Sequence, residues 1–276
     1  MKRFAVPAAW SAAIDTWAVH LRAAGRSSAS IETRTEHLRR FARQTGAPGP
    51  GMVSAARLVE WAGAHEWARE TRRSHYASLR GFYGWAVDAG ICAEDPTGAL
   101  PSIKPGPAVP RPATDRAYRD ALAAADERGH VILRLAGEAG LRRGEIARVH
   151  RRDLLADLAG VTLVVHGKGD RVRLVPLSPS LGREVARVLA GRDWLLPGPG
   201  GSHMTARHVG KLGSQWLPEG VTLHQLRHRF ATVVNKATRD LVSVQRLLGH
   251  ASVATTQRYV AVDEDTLRAA AMSAAV

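Results

Sequence analysis

Apolar residues recur at helical spacing from the start of the chain. Trp10, Ile14, Trp17 and Leu21 mark one face of a helix over 7–24, which Gly25 ends. Ser27, Ser28 and Ser30 offer caps for a second helix carrying Ile31, Leu38 and Phe41, and Gly46 closes it. The segment APGPG (47–51) is a loop. Ser54 then caps a short third helix through Leu58, Val59 and Ala62, and a fourth over 70–89 carries Tyr76, Leu79, Phe82, Tyr83 and Ala86. The pattern predicts a compact unit of four helices.

A second pattern begins beyond DPTGALPSIKPGPAVPRPAT (95–114), which holds 6 of the 14 prolines. Proline at this density favours extended, semi-rigid chain, so 95–113 is expected to link a domain over 1–94 to one over 114–276. Helices are expected near 115–128 and near 130–140, the latter rich in Val131, Ile132, Leu133 and Leu135. AGLRRGEIARV (139–149) and a loop follow. The β signal comes next: GVTLVV (160–165), the turn HGKGD (166–170) and RVRLVPL (171–177) read as a hairpin with Lys168 at its tip. Further helices are expected at 179–190, 205–216, 223–236, 241–248, 252–258 and 263–273. The fold class is therefore mainly α with a small antiparallel β-sheet in the second of two domains.

Charge narrows the class of partner. The chain of 276 residues carries 39 basic against 25 acidic residues, a net +14. Such a balance points to a polyanion, nucleic acid first and a membrane surface second. Residues 1–105 hold 14 basic and 9 acidic side chains, and 106–276 hold 25 and 16, so both halves are basic. In the first, Arg34, Arg39, Arg40 and Arg43 line the second helix, and Arg69, Arg72, Arg73 and Arg80 surround the fourth. Two such runs in one small unit favour phosphate contact over plain solvated faces. The lone Cys92 excludes an internal disulfide and a cysteine zinc knuckle, and reads as a small buried hydrophobe. No stretch is long and apolar enough to span a bilayer. Pro7 and Asp15 break the resemblance of the first residues to a signal peptide. A cytoplasmic protein is expected, with no membrane partner.

Candidate chemistry gathers in VTLHQLRHRFAT (221–232) and RLLGHASVATTQRYV (246–260). On a helix starting near Leu223, His224, Arg227 and His228 stand at i, i+3 and i+4 and share a face. HQLRH lacks the glutamate of a two-histidine zinc helix, and Arg227 would repel a cation, so no metal is expected. A guanidinium that donates two parallel hydrogen bonds suits phosphate better. Singly, each residue has a plainer reading: His224 as a cap, Arg227 in an ion pair, His250 at a helix end, Tyr259 as a core aromatic.

Taken together, AGLRRGEI, GKGDRVRLVPL, HQLRHRFAT and LLGHASVATTQRYV resemble, in order and spacing, the boxes of tyrosine recombinases, the phage integrase and Xer-like class. The resemblance spans about 114–262, and 7–95 is similar to that family's core-binding helices. It implies a two-domain, C-shaped clamp on duplex DNA at core-type recombination sites. It also implies that Tyr259 attacks the scissile phosphodiester, giving a 3′-phosphotyrosyl link and a free 5′-hydroxyl. Arg142 and Arg227 would grip the non-bridging oxygens, and Lys168 would protonate the leaving 5′ oxygen. His224 would act as acid/base partner and His250 as a hydrogen-bond donor to the phosphate. Glu145, three residues after Arg142, would orient that cluster, or form a plain i, i+3 ion pair. His228 matches a family histidine of structural character, and Arg143 and Gly144 depart from the usual residues without removing a catalytic group.

This chemistry is self-sufficient. Fixed guanidinium donors stabilise charge on equatorial phosphate oxygens without a metal. The covalent link conserves the bond energy, so neither ATP nor another cofactor is called for. The chain begins just before the core-binding helices, which implies that an arm-binding domain is missing. Of the 17 residues after Tyr259, 263–273 are expected to form a helix with Leu267 and Met272 on an alanine-rich face, packed at home or on a neighbouring protomer. A homotetramer on DNA, a monomer in solution and a directionality factor are further implications. The expected role is integration or excision of a phage or mobile element. The alternatives are Xer-type dimer resolution, a type IB-like topoisomerase, and a non-catalytic DNA-binding regulator.

Overall fold

The computed structural model describes residues 5–106, 110–158, 160–167 and 171–249. The chain divides into two compact units, Met1–Pro107 and Ala108–Val276.

The first unit is built from α1 (Ala8–Ala23), α2 (Ser28–Thr45), α3 (Ala55–Gly63) and α4 (Arg69–Asp88). Trp10, Trp17, Phe41, Phe82 and Tyr83 are fully buried at its centre. Trp10 meets Phe41 edge-on at 5.6 Å and stacks with Phe82 at 5.8 Å, geometries that the ring quadrupoles favour. Its buried indole N–H donates to the carbonyl of Ala47 at 3.0 Å, which ties the loop after α2 to the core. Gly46 takes the left-handed conformation that ends α2. Ser54 accepts the backbone N–H of Arg57 and starts α3. Val59 lies outside this core, 44% exposed, while Leu58 and Ala62 turn inward.

The proline-rich segment is shared between the units. Asp95 caps a short 3-10 turn (Pro96–Ala99), Leu100 is buried, and Ile103 packs on the aromatic core. Arg80 on α4 donates to the carbonyls of Leu100 and Pro101 at 2.8 and 3.2 Å. Residues 95–106 thus belong to the first unit. On the far side, the Ala113 N–H donates to the Gln225 carbonyl at 3.0 Å, inside the second unit.

The second unit comprises α5 (Asp115–Ala124), α6 (Glu127–Gly137), α7 (Arg143–Ala147), β1 (Leu154–Asp157), β2 (Gly160–His166), β3 (Val172–Leu177), α8 (Pro179–Leu189), α9 (Ala206–Ser214), α10 (Leu223–Thr238) and α11 (Leu241–Leu248). Apolar α6 is its central helix, with Val131, Ile132, Leu133 and Leu135 fully buried. α5 and α6 divide earlier than the sequence pattern predicts, because the Asp126 carboxylate accepts the Gly129 N–H at 2.7 Å and starts α6 there. The sheet has one strand more than the expected hairpin. LLAD (154–157), too short to carry a readable alternation, pairs antiparallel with β2, Leu154 opposite Leu163. β2 and β3 are also antiparallel, Leu163 opposite Val175. Leu163, Val165, Val175 and Leu177 face the core, so the inward positions on β3 are the odd-numbered ones. The helices expected over 252–258 and 263–273 lie outside the described residues. Among the described residues no helix is long and apolar enough to cross a membrane.

Candidate active site

The site forms where α7, α10, β3 and the end of α11 converge on one carboxylate. Glu145 sits in the first turn of α7, and its oxygens cap that helix by accepting the backbone N–H of Arg142 at 2.8 Å. The same carboxylate accepts from Arg142 Nη1 at 2.8 Å. It also accepts from Arg173 as a two-pronged pair, Nη1 at 2.9 Å and Nη2 at 2.8 Å, with Arg227 Nη1 at 3.7 Å. Only 2% of the Glu145 side chain is exposed. Burial alone would push its pKa up. The bonds and charge of Arg173, the Arg142 N–H and the nearby Arg227 outweigh burial and hold it at about 2.

Arg227 is fully buried on α10, whose start is fixed by the Gln225 side chain accepting the Thr222 N–H at 2.7 Å. It donates to the carbonyl of Gly140 and, at 2.7 Å, to that of Leu248. Gly140 has φ of 64°, and a Cβ there would lie 2.4 Å from the Phe230 ring. Only glycine lets the chain turn after α6 and aim its carbonyl at Arg227. The carbonyls at the end of α11 have no helical partner of their own. Arginines supply it: Arg173 Nε donates to Leu247 at 2.7 Å, and Arg142 Nη1 reaches Leu248 at 3.4 Å. Guanidinium at a helix C-terminus also complements the dipole.

His224 lies one turn before Arg227 on the same helix, its ring perpendicular to that of His228 at 4.8 Å. It presents an edge to solvent. The protein packed around it, together with Arg227, Arg142 and Arg143, lowers its pKa below the ordinary imidazole value. Arg142 is the most open of the three guanidiniums around Glu145, its side chain 39% exposed. The structure therefore gathers Arg142, Glu145, His224 and Arg227. Lys168, His250 and Tyr259 lie outside the described residues.

The family model described as the phage integrase family matches residues 114–266. The chain belongs to that family. It is a tyrosine recombinase, an enzyme that cleaves and rejoins DNA strands. It is 34% identical over 239 residues to the tyrosine recombinase XerC of Rhodospirillum centenum, covering 77% of this chain and 67% of that protein. A XerC of a Methylobacterium species is 31% identical over 94% of this chain and 91% of its own length. Among solved structures, a lambda integrase dimer bound to a COC′ core site aligns with a TM-score of 0.71 at 16% identity, over 90% of this chain and 76% of that one. At that identity the likeness is one of fold.

One residue of this cluster escapes sequence reading, namely Arg173. The signal was available in the strand alternation. Arg173 shares the inward face of β3 with Val175 and Leu177, where an arginine requires a buried acid. Its partner, Glu145, stands 28 positions upstream.

In the first unit the arginine runs divide by use. Arg39, Arg43 and Arg73 pair with Asp15, Glu36 and Glu70 at 3.3, 2.6 and 2.8 Å. Arg72 donates to the His65 carbonyl at 2.9 Å, and Arg80 to the carbonyls after the 3-10 turn. Arg40 is exposed, its guanidinium 5.7 Å from the Trp67 ring. Arg34 is half-buried beside Gly81. Behind Arg40 lies a stack of rings: His37 on His75 at 3.8 Å, His75 on Trp67 at 4.3 Å, and Trp67 on His65 at 4.3 Å. His37 Nδ1 and Ser78 Oγ share a hydrogen bond at 2.9 Å.

Proposed function

We propose that the enzyme is a site-specific recombinase acting on double-stranded DNA, with Tyr259 as nucleophile and Arg142, Lys168, His224, Arg227 and His250 as the groups that serve it. The observation that carries this is the cation cluster itself. Glu145 holds two of the proposed phosphate ligands, Arg142 and Arg227, within its own reach, at 2.8 and 3.7 Å.

In the proposed reaction the Tyr259 oxygen bonds to phosphorus as the bond to the 5′ oxygen breaks. Charge grows on the non-bridging oxygens, where fixed guanidinium donors stabilise it with no reorganisation. A phosphate oxygen would replace the Leu248 carbonyl as the acceptor at Arg227 Nη2. His224, kept neutral near pH 7 by its surroundings, accepts the phenol proton. Lys168 gives a proton to the leaving oxygen. Rejoining reverses each transfer, so the bond count is conserved and neither ATP nor a metal enters.

The helical first unit supplies core-site DNA contacts, with the exposed Arg40 among them and Arg34, Arg39, Arg43, Arg72, Arg73 and Arg80 adding to the positive field. The enzyme works in the cytoplasm of a bacterial host, a monomer in solution that assembles as a homotetramer on paired sites, with a directionality factor setting the outcome. Its role is integration or excision of a phage or mobile element. Dimer resolution is the second reading, favoured by the relatives named XerC. A nicked suicide duplex cut from the DNA flanking the gene tests the chemistry. A covalent adduct is expected on denaturing gels with the natural protein and none with Tyr259→Phe; an adduct that survives the substitution defeats the assignment. Rapid relaxation of a plasmid lacking the site would instead mark a topoisomerase.

A further inference from the structure

Arg173 takes no part in the proposed transfer of phosphate, yet it is firmly held beside the cations that do. Only 10% of its side chain is exposed, and three of its nitrogens donate within the protein. Two go to both oxygens of Glu145, and the third to the carbonyl of Leu247. A guanidinium on the inward face of a strand costs desolvation that a third aliphatic residue beside Val175 and Leu177 would not. Stability alone therefore does not account for it.

The bonds run outward along two arms. Through Glu145, Arg173 reaches Arg142 and the vicinity of Arg227, since a carboxylate gripped on both oxygens cannot rotate away from the bonds it makes to Arg142. Through Leu247, it reaches the end of α11, and the chain continues from there to His250 and Tyr259. Gly249 takes the left-handed conformation here, and a Cβ on it would lie 2.9 Å from Arg173 Cδ, so the chain passes directly over the guanidinium stem.

We propose that Arg173 is a positioning residue for DNA cleavage, setting Arg142 through Glu145 and setting the end of α11 through the Leu247 carbonyl. The inference rests on the proposed active site and extends it to a residue on the sheet. Its effect belongs to the chemical step rather than to DNA binding, because Arg173 is largely buried and its three guanidinium nitrogens all donate within the protein.

Single-turnover cleavage of the nicked duplex by the full-length protein reads this directly, with the rate at saturating protein separated from the half-saturating concentration. R173M is expected to lower the saturating rate ~100-fold, the scale of a misplacement near 1 Å, and to leave half-saturation unchanged. R173K keeps the charge but not the two-pronged grip, and is expected to recover part of the loss, ending ~10-fold below the natural protein. Natural rates in both variants overturn the proposal, as does a loss lying wholly in the half-saturating concentration. Should thermal melting show R173M unfolded, R173K decides alone: a natural rate overturns the proposal, and a slowed rate at unchanged half-saturation supports it. A natural protein that forms no Tyr259-dependent adduct overturns the site reading and this inference together, whereas an adduct with indifferent Arg173 variants overturns this inference alone.

Discussion

Arg227 and Arg142, far apart in the chain, share one acceptor, the carbonyl of Leu248, at 2.7 and 3.4 Å. Arg142 keeps the greater exposure of the two, so in the proposed reaction it is the one an incoming phosphate would meet first. Arg142→Lys retains charge and loses planar, forked donation. Cleavage is expected to slow by about 10²–10³-fold, the usual cost of one transition-state donor. Single-turnover rates on the nicked duplex check it, and a slowing below about threefold would remove Arg142 from the chemistry.

His224 sets a pH dependence. Its pKa lies below the ordinary imidazole value, so it is neutral at pH 7 and able to accept a proton. Acidification through that pKa protonates it, and the cleavage rate should fall as pH drops. His224→Gln should cleave slowly and without that acid limb. A variant profile that kept the limb would assign it to another group.

Glu145 links pH to stability. Its folded pKa of about 2 lies below the ordinary carboxylate value of 4.5, so its contribution is present above 4.5 and is lost as pH falls from there towards 2. By linkage the contribution is on the order of 3 kcal/mol. Denaturant melts of the natural protein should weaken across that window. Glu145→Gln should be less stable at pH 7 and flatter below pH 4.5; parallel curves would disprove the linkage.

The first unit has an acid weakness of its own. His75 is desolvated between His37 and Trp67, and burial, then the neighbouring His37, Arg40 and His65, bring its pKa from 6.5 to about 4. A histidine depressed on folding binds its proton more readily when unfolded, so stability falls as pH drops from 6.5 towards 4, by up to about 3 kcal/mol. Tryptophan emission reports it, since Trp67 lies in the stack and Trp61 borders it. His75→Phe keeps a ring in the stack and should flatten this loss.

Gly140→Ala places a methyl group against Phe230 in a backbone conformation that disfavours it. A destabilisation of roughly 2–4 kcal/mol is expected from the strain and the overlap combined. The carbonyl that receives Arg227 would shift as well, so cleavage should fall further than the melting temperature explains. A variant equal to the natural protein in both measurements would show that the turn has another solution.

Much of this is legible in the amino-acid sequence. Trp10, Ile14 and Trp17 keep a helical period, and α1 forms with that face inward. Arg142, Glu145, His224 and Arg227 could be grouped because their boxes have recognisable order. Arg173 is not legible in the apolar alternation of its strand, and its acid stands far upstream. β1 was missed because four residues carry too little pattern, its pairing being decided by β2. The split between α5 and α6 turned on one side-chain cap at Asp126, a local bond that competes with helical period and here prevails.

The inward face of β3 makes the site a matter of parity. Val175 and Leu177 anchor the strand in the core, and Arg173 reaches Glu145 because it stands an even number of residues away from both. A single residue inserted between Arg173 and Val175 would leave the core anchors in place and turn the guanidinium to solvent. Two inserted residues would restore its side of the sheet, though one step farther along. Length changes on this strand would therefore be expected to leave a folded protein whose proposed site is displaced.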